Sequence, residues 1–423
     1  MATSVNPPRG MRDFMPAEKA RRERVLGVIR SIYTAHGFDE IETPVMEDSD
    51  RLHSGLGGDN EKLAFAVLKR GLGPDDLAAA AEALELADLG LRFDLTVPLA
   101  RFYATHRAEL PTVFRSIQMA SVWRAERPQK GRYRQFVQAD IDIIGEAGPL
   151  AEIELMTATA ATLNTLGLTE WTIRVNDRRL LIGILDSFGV AAADRASALV
   201  TIDKLDKVGA AGVAAELRAK GLPGDAYEAF VNRPQPMEFL PFGERLITTG
   251  LPPGADQTVI AELANIGLAV DAGLGAPVVQ FDPFLVRGMG YYTGPIFEIA
   301  HPSSTSSLGG GGRYDGMIGR FLGTDVPAAG FSIGFERIVD LVTINDLTVS
   351  ESVALIYHAE VDHSTIMAVK AALIGEGKRV RLERAPRNLK PLMEQLKEAG
   401  YTSVANLTAG VHGTGDLQFR PIG

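Results

Sequence analysis

Hydrophobic and polar residues alternate along positions 122–145, and this alternation predicts two strands joined by an exposed basic loop. On the second strand, the odd positions from 135 to 143 are mostly apolar. Because successive strand side chains point to opposite faces, one face should pack on a core while the other is polar. A polar face of this kind suits a nucleotide and a small charged ligand. It carries Arg134, Phe136, Gln138, Asp140 and Asp142, and Arg124 shares a face of the first strand with Glu126.

The same kinds of pattern predict the neighbouring elements. Apolar residues at helical spacing indicate a first helix over residues 17–36, which Gly37 should end because glycine readily takes the conformation that follows a helix. A second helix should follow Thr96 and run to about His106. A longer helix is predicted over 150–166, and strands are predicted over 278–281, 292–299 and 328–333.

Changes in composition along the chain predict its domains. Residues 178–272 are rich in alanine and read as a mainly helical insertion. Strands and helices alternate after residue 350, and such alternation is typical of a small α/β domain with a parallel or mixed sheet. We therefore expect a core over residues 1–345, interrupted by the insertion at 178–272, and a separate domain over 351–423.

Composition excludes several kinds of protein and site. The chain has 423 residues with no cysteine and only 7 histidines, so a metal site built from histidine or cysteine is not expected. No apolar run approaches the roughly 18 residues that a membrane span needs, and the N-terminus has no secretion signal. We therefore expect a cytoplasmic protein that does not enter a membrane.

Charge is concentrated in the loop of the predicted hairpin. The net charge of the chain is −10, yet residues 114–134 hold six basic residues and a single acid, Glu126. A basic patch on an acidic body can direct one polyanion to one place. A solvated hairpin tip is the alternative that charge alone leaves open.

Seven segments, taken in order, resemble the histidyl-tRNA synthetase family of class II aminoacyl-tRNA synthetases. The resemblance implies an α+β catalytic domain with a mainly antiparallel sheet flanked by helices, a helical insertion, and a small α/β C-terminal domain. That last domain is similar to an anticodon-binding module, but shortened. The resemblance also implies a homodimer with the first helix at its interface. The segments are RGMRDFMP, HGFDEIETPVME ending near Pro44, LRFDLT at 91–96, FRSIQMASVWRAERPQKGRYRQFVQADIDIIG, LVRGMGYYTGPIFE at 285–298, GGGGRYDG and AAGFSIGFERI.

The resemblance implies a binding site for ATP, with Mg²⁺ as cofactor. Arg124 is expected on the α-phosphate and the substrate carboxylate, and Arg132 near the γ-phosphate, because guanidinium groups match phosphate oxygens. A surface ion pair between Arg124 and Glu126 is the local alternative. The full set of implied ATP-binding residues is Arg124, Glu126 near the adenine amino group, Arg132, Phe136 stacked on adenine, Glu298 and Arg337.

The resemblance also implies a pocket for free histidine. Asp94, Thr96 and Gln138 are expected on its ammonium group, and Asp142 with Tyr292 on its imidazole. Local alternatives are that Asp94 only caps a helix and that Arg287 only forms a structural ion pair. Gly290 departs from the family pattern, in which aspartate is common. The remaining residues of the implied pocket are Arg124, Arg287 and Tyr291, of which Tyr291 would otherwise belong to the core.

These expectations amount to a histidine–tRNA ligase that activates histidine with ATP and transfers it to the 3′ end of tRNA(His). Arg124, Arg287 and Arg337 are expected to carry the chemistry, and Arg127 with Gln129 to contact the acceptor end of the tRNA. One alternative is a non-catalytic, synthetase-like regulatory subunit of ATP phosphoribosyltransferase. Another is an adenylate-forming amide ligase with a different acceptor.

Overall fold

The described part of the chain forms two compact units. The computed structural model describes residues 5–53, 63–128, 132–233, 240–287, 290–304, 306–342, 351–411 and 413–422. One unit is drawn from Met1–Arg12 and Val25–Val342, and the other from Asp13–Arg24 and Thr343–Gly423. No helix in these described ranges is long and apolar enough to cross a membrane.

Two sheets form the frame of the first unit. The larger sheet has eight strands, and all of its pairs are antiparallel except the two outermost ones. The smaller sheet has three antiparallel strands. In chain order the strands are β1 (Asp39–Glu40), β2 (Met46–Asp48), β3 (Phe65–Leu68), β4 (Ala87–Leu91), β5 (Phe114–Trp123), β6 (Gln135–Ile144), β7 (Thr172–Asp177), β8 (Val279–Phe281), β9 (Pro295–Ala300), β10 (Gly309–Arg313) and β11 (Ala328–Gly334). The large sheet has the order β1-β5-β6-β11-β10-β9-β7-β8, and the small one has the order β2-β4-β3.

Helices accompany these sheets, and those between β7 and β8 follow one another without an intervening strand in the described ranges. The helices up to β8 are α1 (Pro16–Ala35), α2 (Ser49–Leu52), α3 (Pro74–Ala79), α4 (Thr96–His106), α5 (Leu150–Thr165), α6 (Arg178–Ser187), α7 (Arg195–Ile202), α8 (Leu205–Ala219), α9 (Gly224–Val231), α10 (Glu244–Gly250) and α11 (Gln257–Leu274). Two more, α12 (Asp315–Leu322) and α13 (Phe335–Leu341), flank β11. The predicted α+β class with a mainly antiparallel sheet is confirmed.

The second unit is a four-stranded α/β layer. Its elements are β12 (Ser352–Tyr357), α14 (His363–Gly375), β13 (Arg379–Arg384), α15 (Leu389–Glu398), β14 (Ser403–Leu407) and β15 (Phe419–Pro421). The strand order is β13-β12-β14-β15, with β12 parallel to both neighbours and β15 antiparallel to β14. Separate apolar clusters cover the two faces of β12, one of them around Leu355 and the other around Ile356.

The predicted hairpin is present, with one difference at its first strand. β5 ends at Trp123, so Arg124 and Glu126 lie beyond the strand instead of on it. The backbone N–H of Arg124 still donates to the carbonyl of Arg134 at 2.9 Å, which prolongs the ladder by one bond. On β6 a polar side chain can be nearly as buried as the apolar ones: Asp140 is only 4% exposed.

Strand register aligns several polar residues across the large sheet. Residues directly opposite each other in antiparallel strands share a face. One row runs across β5, β6, β11, β10, β9 and β7, and a second row lies beside it. The first row is Gln118, Asp140, Ser332, Gly310, Glu298 and Arg174, and the second contains Ser116, Asp142, Gly330 and Gly312.

A buried ion pair fastens α5 to the sheet. Arg313 on β10 donates from Nε and Nη2 to the two carboxylate oxygens of Glu152, at 2.6 and 2.8 Å. The same guanidinium donates to the carbonyls of Gly148 at 2.9 Å and Glu146 at 3.2 Å. This fork geometry satisfies both charges at once. The pair therefore fixes the start of α5 against β10.

Replacing Glu152 by alanine should lower the free energy of unfolding of the first unit by about 3–5 kcal/mol, because it leaves a buried guanidinium without its carboxylate. Urea unfolding followed by tryptophan fluorescence measures this unit, since both tryptophans, Trp123 and Trp171, lie in it. Glu154 on the same helix is the matched control. It bonds Arg115 at 2.7 Å, but its side chain is 34% exposed, so Glu154→Ala should cost less than about 1 kcal/mol. Equal losses in the two variants would contradict this account.

Candidate active site

Three buried carboxyl groups lie on the face of the large sheet that carries the two aligned rows. Asp94 precedes α4, while Asp140 and Asp142 lie on β6, and all three are at most 4% exposed. The backbone N–H of Val97, in the first turn of α4, donates to Asp94 Oδ1 at 3.1 Å, although the N-cap residue of this helix is Leu95 and not Asp94. Asp140 received no role from the sequence, although the strand alternation placed it on the polar face.

The polar contacts around these carboxyls are incomplete. Tyr314 donates its hydroxyl to Asp142 Oδ1 at 2.6 Å. Gln138 donates from Nε2 to Ser332 Oγ at 3.0 Å and to Asp140 Oδ2 at 3.3 Å. Gln138 Oε1 and Asp140 Oδ1 are buried acceptors with no hydrogen-bond partner among the described residues. Buried acceptors normally have a donor, so this place suits a ligand that supplies N–H groups.

The carboxyls hold their protons more tightly than exposed ones do. Burial raises the pKa of Asp142 to about 7, with the Tyr314 hydroxyl opposing the shift and the charge of Asp94 adding to it. Burial also raises the pKa of Asp140 well above its usual value, and the neighbouring Asp142 adds to that shift. A cation that enters this pocket would favour the ionised forms and lower both values.

Three tyrosines lie near the carboxyls. The rings of Tyr291 and Tyr292 are 4.8 Å apart, and those of Tyr291 and Tyr314 are 5.9 Å apart. Tyr292 and Tyr314 are almost fully buried, while Tyr291 is partly buried against the core, as its apolar alternative predicted. Burial first, and then the charges of Tyr292 and Asp94, raise the pKa of Tyr291. The tyrosine therefore combines packing with a position beside the carboxyl pocket.

Arginines gather next to this pocket. Arg124 donates from Nε to the Phe93 carbonyl at 2.9 Å, and its guanidinium lies 5.1 Å from the centre of the Phe136 ring. Arg132 is paired with Glu126 at 3.2 Å. Of the predicted ATP set, the structure thus brings Arg124 to Phe136 and joins Arg132 to Glu126.

Arg337 lies in the first turn of α13 and donates to the carbonyl of Ser307. Its pKa is lowered first by burial and then by the positive charges of Arg132, Arg287 and Arg124, with Glu298 opposing them. The guanidinium groups of Arg132, Arg287 and Arg124 therefore all repel that of Arg337. Such mutual repulsion is expected where a polyanion is to be bound.

Arg287 connects the arginines to the carboxyl pocket. It donates from Nη1 to Glu298 Oε2 at 2.8 Å, and its Nε has no hydrogen-bond partner in the described ranges. Its positive charge lowers the pKa of Tyr292 against a larger rise from burial. Glu298 also pairs with Arg174 on β7. The ion pair that was the structural alternative for Arg287 is therefore present, and it lies next to Tyr292.

Glycines on β10 and β11 make room for the site residues. A Cβ at Gly310 would lie 2.7 Å from Cζ of Arg287, and one at Gly330 would lie 2.0 Å from Oδ1 of Asp142. A Cβ at Gly312 would lie 2.9 Å from the Tyr292 ring. The glycine run therefore serves close packing beside the pocket. It does not form a phosphate loop, because no Lys-Ser/Thr follows it.

Side chains that the sequence did not single out hold the segment around Asp94. Buried Arg92 donates to the carbonyls of Thr43 at 2.7 Å and Ser121 at 2.9 Å. Gln118 donates to the Leu95 carbonyl at 3.0 Å. No periodicity identifies these residues. The signal they offer is a polar side chain within a mostly apolar segment.

The N-terminal segment around Gly10 and Arg12, here called the leader, contacts the base of the hairpin. Arg12 donates to Glu336 at 2.5 Å, and the other oxygen of Glu336 accepts the backbone N–H of Val137 at 3.1 Å. The Arg12 guanidinium lies 3.6 Å from the centre of the Tyr133 ring. The carbonyl of Gly10 accepts the backbone N–H of Arg134 at 2.7 Å. The leader is therefore part of the structure that supports the site.

Four further positions singled out from the sequence lie around these groups in the chain or outside the described residues. Arg127 is exposed at the end of the described hairpin segment, and Gln129 lies outside the described residues. Thr96 is the first residue of α4 and is partly exposed. Gly290 is exposed, and a Cβ added there meets no atom within 4 Å.

Comparison with known proteins gives one consistent family. A family model described as histidyl-tRNA synthetase matches residues 10–338. A histidine–tRNA ligase of Leifsonia xyli subsp. xyli (strain CTCB07) is 59% identical over 416 residues, which cover 97% of this chain and 96% of that protein. The chain belongs to the histidyl-tRNA synthetase family. A probable histidine–tRNA ligase of Tropheryma whipplei (strain Twist) is 43% identical over 410 residues, with 94% of each chain covered.

Solved structures agree with the fold of a histidyl-tRNA synthetase. The crystal structure of histidyl-tRNA synthetase from Nostoc sp. PCC 7120 has a TM-score of 0.74 at 26% identity and covers 96% of this chain and 92% of that one. An ATP phosphoribosyltransferase regulatory subunit/histidyl-tRNA synthetase from Bacillus halodurans C has a TM-score of 0.76 at 19% identity and covers 97% and 100%. The second likeness concerns the fold alone.

The raised pKa of Asp142 in this synthetase-family chain makes its stability depend on pH in a definite direction. The folded pKa of about 7 lies above the ordinary value of 3.8, so the contribution of Asp142 is complete below about pH 4 and is lost as the pH rises through 7. Asp142→Asn keeps an acceptor for Tyr314 and removes the titration. The variant should become more stable than the parent as the pH rises from 4 to 8, by up to about 4 kcal/mol.

Urea unfolding of both proteins across this pH range measures the difference. Asp39→Asn, at an exposed position on β1, is the matched control and should follow the parent within about 0.5 kcal/mol at every pH. A constant offset between Asp142→Asn and the parent would show that Asp142 does not titrate in this window.

Proposed function

We propose that this chain joins histidine to the 3′ end of tRNA(His) in two steps that consume ATP. Membership of the histidyl-tRNA synthetase family supports the ligase activity itself. The finer proposal rests on one observation: acidic side chains and basic side chains lie on the same face of the large sheet. Buried Asp140 and Asp142 suit a cationic amino acid, while the arginines around Arg337 suit a polyphosphate.

For histidine, we assign the ammonium group to Asp94, Thr96 and Gln138, and the imidazole to Asp142 with Tyr292. The acceptor Gln138 Oε1, which has no partner among the described residues, supports this assignment because an ammonium group supplies N–H donors. The hydroxyl contact from Tyr314 supports it as well, since it fixes the Asp142 carboxyl in one orientation. Tyr291 completes the pocket by packing on Tyr292.

For ATP, we assign the phosphates to Arg124, Arg132 and Arg337, and the adenine to Phe136 with Glu126. The repulsion that Arg337 experiences from the other guanidinium groups supports a shared anionic ligand. Arg124 lies 5.1 Å from the centre of the Phe136 ring, which supports an adenine stacked on Phe136 with its α-phosphate at Arg124. Binding of ATP would replace the pair that Arg132 forms with Glu126.

We assign Mg²⁺ to the phosphates of ATP. In the described ranges, no group of three or more His, Cys, Asp or Glu side chains is arranged to hold a metal ion. Glu298, which the family resemblance gives to the ATP site, already accepts from Arg174 and Arg287. These residues fit a Mg²⁺ ion that keeps water and phosphate ligands, and the bound ion would offset phosphate charge.

The first step needs no nucleophile from the protein. A carboxylate oxygen of histidine attacks the α-phosphorus of ATP, the bond to the β-phosphate oxygen breaks, and pyrophosphate leaves. Arg124 and Arg287 act as fixed cations near the reacting phosphate, and Arg337 holds the leaving phosphates. The terminal ribose hydroxyl of the tRNA then attacks the carbonyl of the adenylate, and AMP leaves. Positioning and charge stabilisation account for the rate in such a reaction.

For the tRNA, we assign the acceptor end to the hairpin loop with Arg127 and Gln129. The exposure of Arg127 supports this assignment.

We assign residues 1–345 to catalysis, with 178–272 as an insertion, and 351–423 to an anticodon-binding-like role. The separate apolar clusters of the second unit support an independent domain. A cytoplasmic location fits a protein that acts on tRNA.

We also propose a homodimer. Three large apolar side chains on or beside the small sheet are exposed: Val45 by 42%, Met46 by 46% and Leu68 by 61%. They come from β3 and from the segment after Pro44, which follows the motif that the family resemblance gives to the dimer, whereas the resemblance expects the first helix at the interface. Large apolar side chains exposed along both edges of one small sheet support a surface that a second copy covers.

Pyrophosphate exchange with each of the twenty amino acids tests the proposed function. We expect exchange with histidine and charging of tRNA(His), because only histidine matches both the ammonium and the imidazole positions. Arg287→Ala should reduce exchange by about 10²–10³-fold, as loss of a charge-stabilising donor does. Arg245→Ala, at an exposed position on α10, should leave it unchanged.

Each outcome of this experiment has a definite meaning. Absence of histidine-dependent exchange in the parent would overturn the ligase and favour the regulatory subunit. Exchange without charging of tRNA would favour the amide ligase.

Leu68→Glu tests the dimer by placing a charge on the exposed apolar surface. We expect sedimentation to show a dimer for the parent and a shift of at least about tenfold towards monomer for the variant, since a desolvated unpaired charge costs more than 1.4 kcal/mol. Val208→Glu, at a 50% exposed position on α8, is the control and should remain dimeric. A parent that sediments as a monomer would contradict the proposal.

A further inference from the structure

Arg174 is a partly buried cation that neither the sequence pattern nor the proposed chemistry uses. It lies on β7 and contacts three carboxylates. Nη1 donates to Asp282 at 3.2 Å, and Nη2 donates to Asp206 at 3.3 Å and to Glu298. Its side chain is 24% exposed. These contacts fix the guanidinium from several sides.

Glu298 divides its two oxygens between two arginines. Oε1 accepts from Arg174, and Oε2 accepts from Nη1 of Arg287 at 2.8 Å. Arg174 and Glu298 are directly opposite each other on β7 and β9, so the backbone register keeps them together. Glu298 is only 9% exposed, which leaves water little access to an oxygen that has lost its partner. Each oxygen of Glu298 therefore depends on its own arginine.

Loss of Arg174 would change the way Glu298 holds Arg287. A carboxylate with one arginine partner favours a bidentate contact, in which both oxygens accept from the guanidinium fork. Arg287 now offers Nη1 alone to Glu298, and its Nε has no partner in the described ranges. A bidentate contact would engage a second donor and turn the guanidinium. Gly310 lies against the Arg287 guanidinium and has no side chain that could oppose this rotation.

We propose that Arg174 is a positioning residue for adenylate formation. By occupying one oxygen of Glu298, it limits Glu298 to a single contact with Arg287 and keeps the rest of the Arg287 guanidinium for the anionic ligand. This inference rests on the proposed function, because it concerns how Arg287 is presented to the reacting phosphate. Arg174 itself acts only through Glu298.

The test is histidine-dependent pyrophosphate exchange by Arg174→Met and Arg174→Lys. Misplacing a catalytic group by about 1 Å costs roughly 10²-fold in rate. Arg174→Met should therefore lower kcat by about 10²-fold, while KM for histidine and for ATP changes less than about threefold. Arg174→Lys restores a donor to Glu298 and should recover most of kcat. Loss of a merely structural arginine would lower Tm but leave kcat per folded molecule unchanged.

A double-mutant cycle with Glu298→Gln tests the route of the effect. In the Glu298→Gln background, Arg174→Met should lower kcat by less than about threefold further, because the two residues act as one unit. Arg179→Met is the matched control. Arg179 also pairs with two carboxylates, those of Asp177 and Glu262, but contacts neither Glu298 nor Arg287 in the described structure. It should lower Tm without lowering kcat.

The possible results separate this inference from the proposed function. A parent with no histidine-dependent exchange overturns the function and this inference together. A parent that exchanges, with Arg174→Met of normal kcat, overturns the inference alone. Additive losses in the double-mutant cycle would also overturn it, because they would show that Arg174 acts independently of Glu298.

Discussion

The structure of the first unit depends on burying charged groups on one face of a sheet. Charged side chains are costly to bury alone, and they become tolerable when an opposite charge or a hydrogen bond lies next to them. The row across the large sheet meets this condition by pairing opposite charges: Arg174 lies directly opposite Glu298, and Arg287, which lies against Gly310 of the row, donates to Glu298 as well. The exception is the Asp140 end, where a buried carboxyl has no cationic side chain within ion-pair distance in the described ranges. That end is where we assign the amino acid.

Small residues make this arrangement possible. A sheet face filled by ordinary side chains has no space for an arginine laid across it, and the glycines of β10 and β11 supply that space at Gly310, Gly312 and Gly330. Glycine in a strand interior lowers stability because it has no side chain to pack against its neighbours. The Arg313–Glu152 pair, on the same β10 strand, offsets part of that loss by holding α5 against the sheet. Site geometry and scaffold stability are thus supplied by neighbouring residues of one segment.

Much of this arrangement could be predicted from the sequence. The rest could not, because it depends on contacts between residues that are far apart in the chain. The alternation on β6 identified the polar face, and helical spacing predicted α1 and α4 correctly. Contacts between distant strands were not predictable in this way, because register across a sheet has no local signal. Arg174 and Glu298 are 124 positions apart, and nothing near either of them indicates the other. Asp140 was visible as a polar position, but the fact that its Oδ1 has no hydrogen-bond partner in the described ranges is a property of the folded sheet.

Gly290 gives the chain a convenient place for a spectroscopic reporter. The position is exposed, an added Cβ meets nothing within 4 Å, and its backbone is not in the left-handed region that excludes other residues. The chain contains no cysteine, so a thiol introduced there would be its only one and would take a fluorophore or spin label without competition. Such a label would lie next to Tyr291 in sequence and could follow ligand entry in real time. The position at which the chain departs from the family pattern can thus be labelled to measure the dynamics of the pocket.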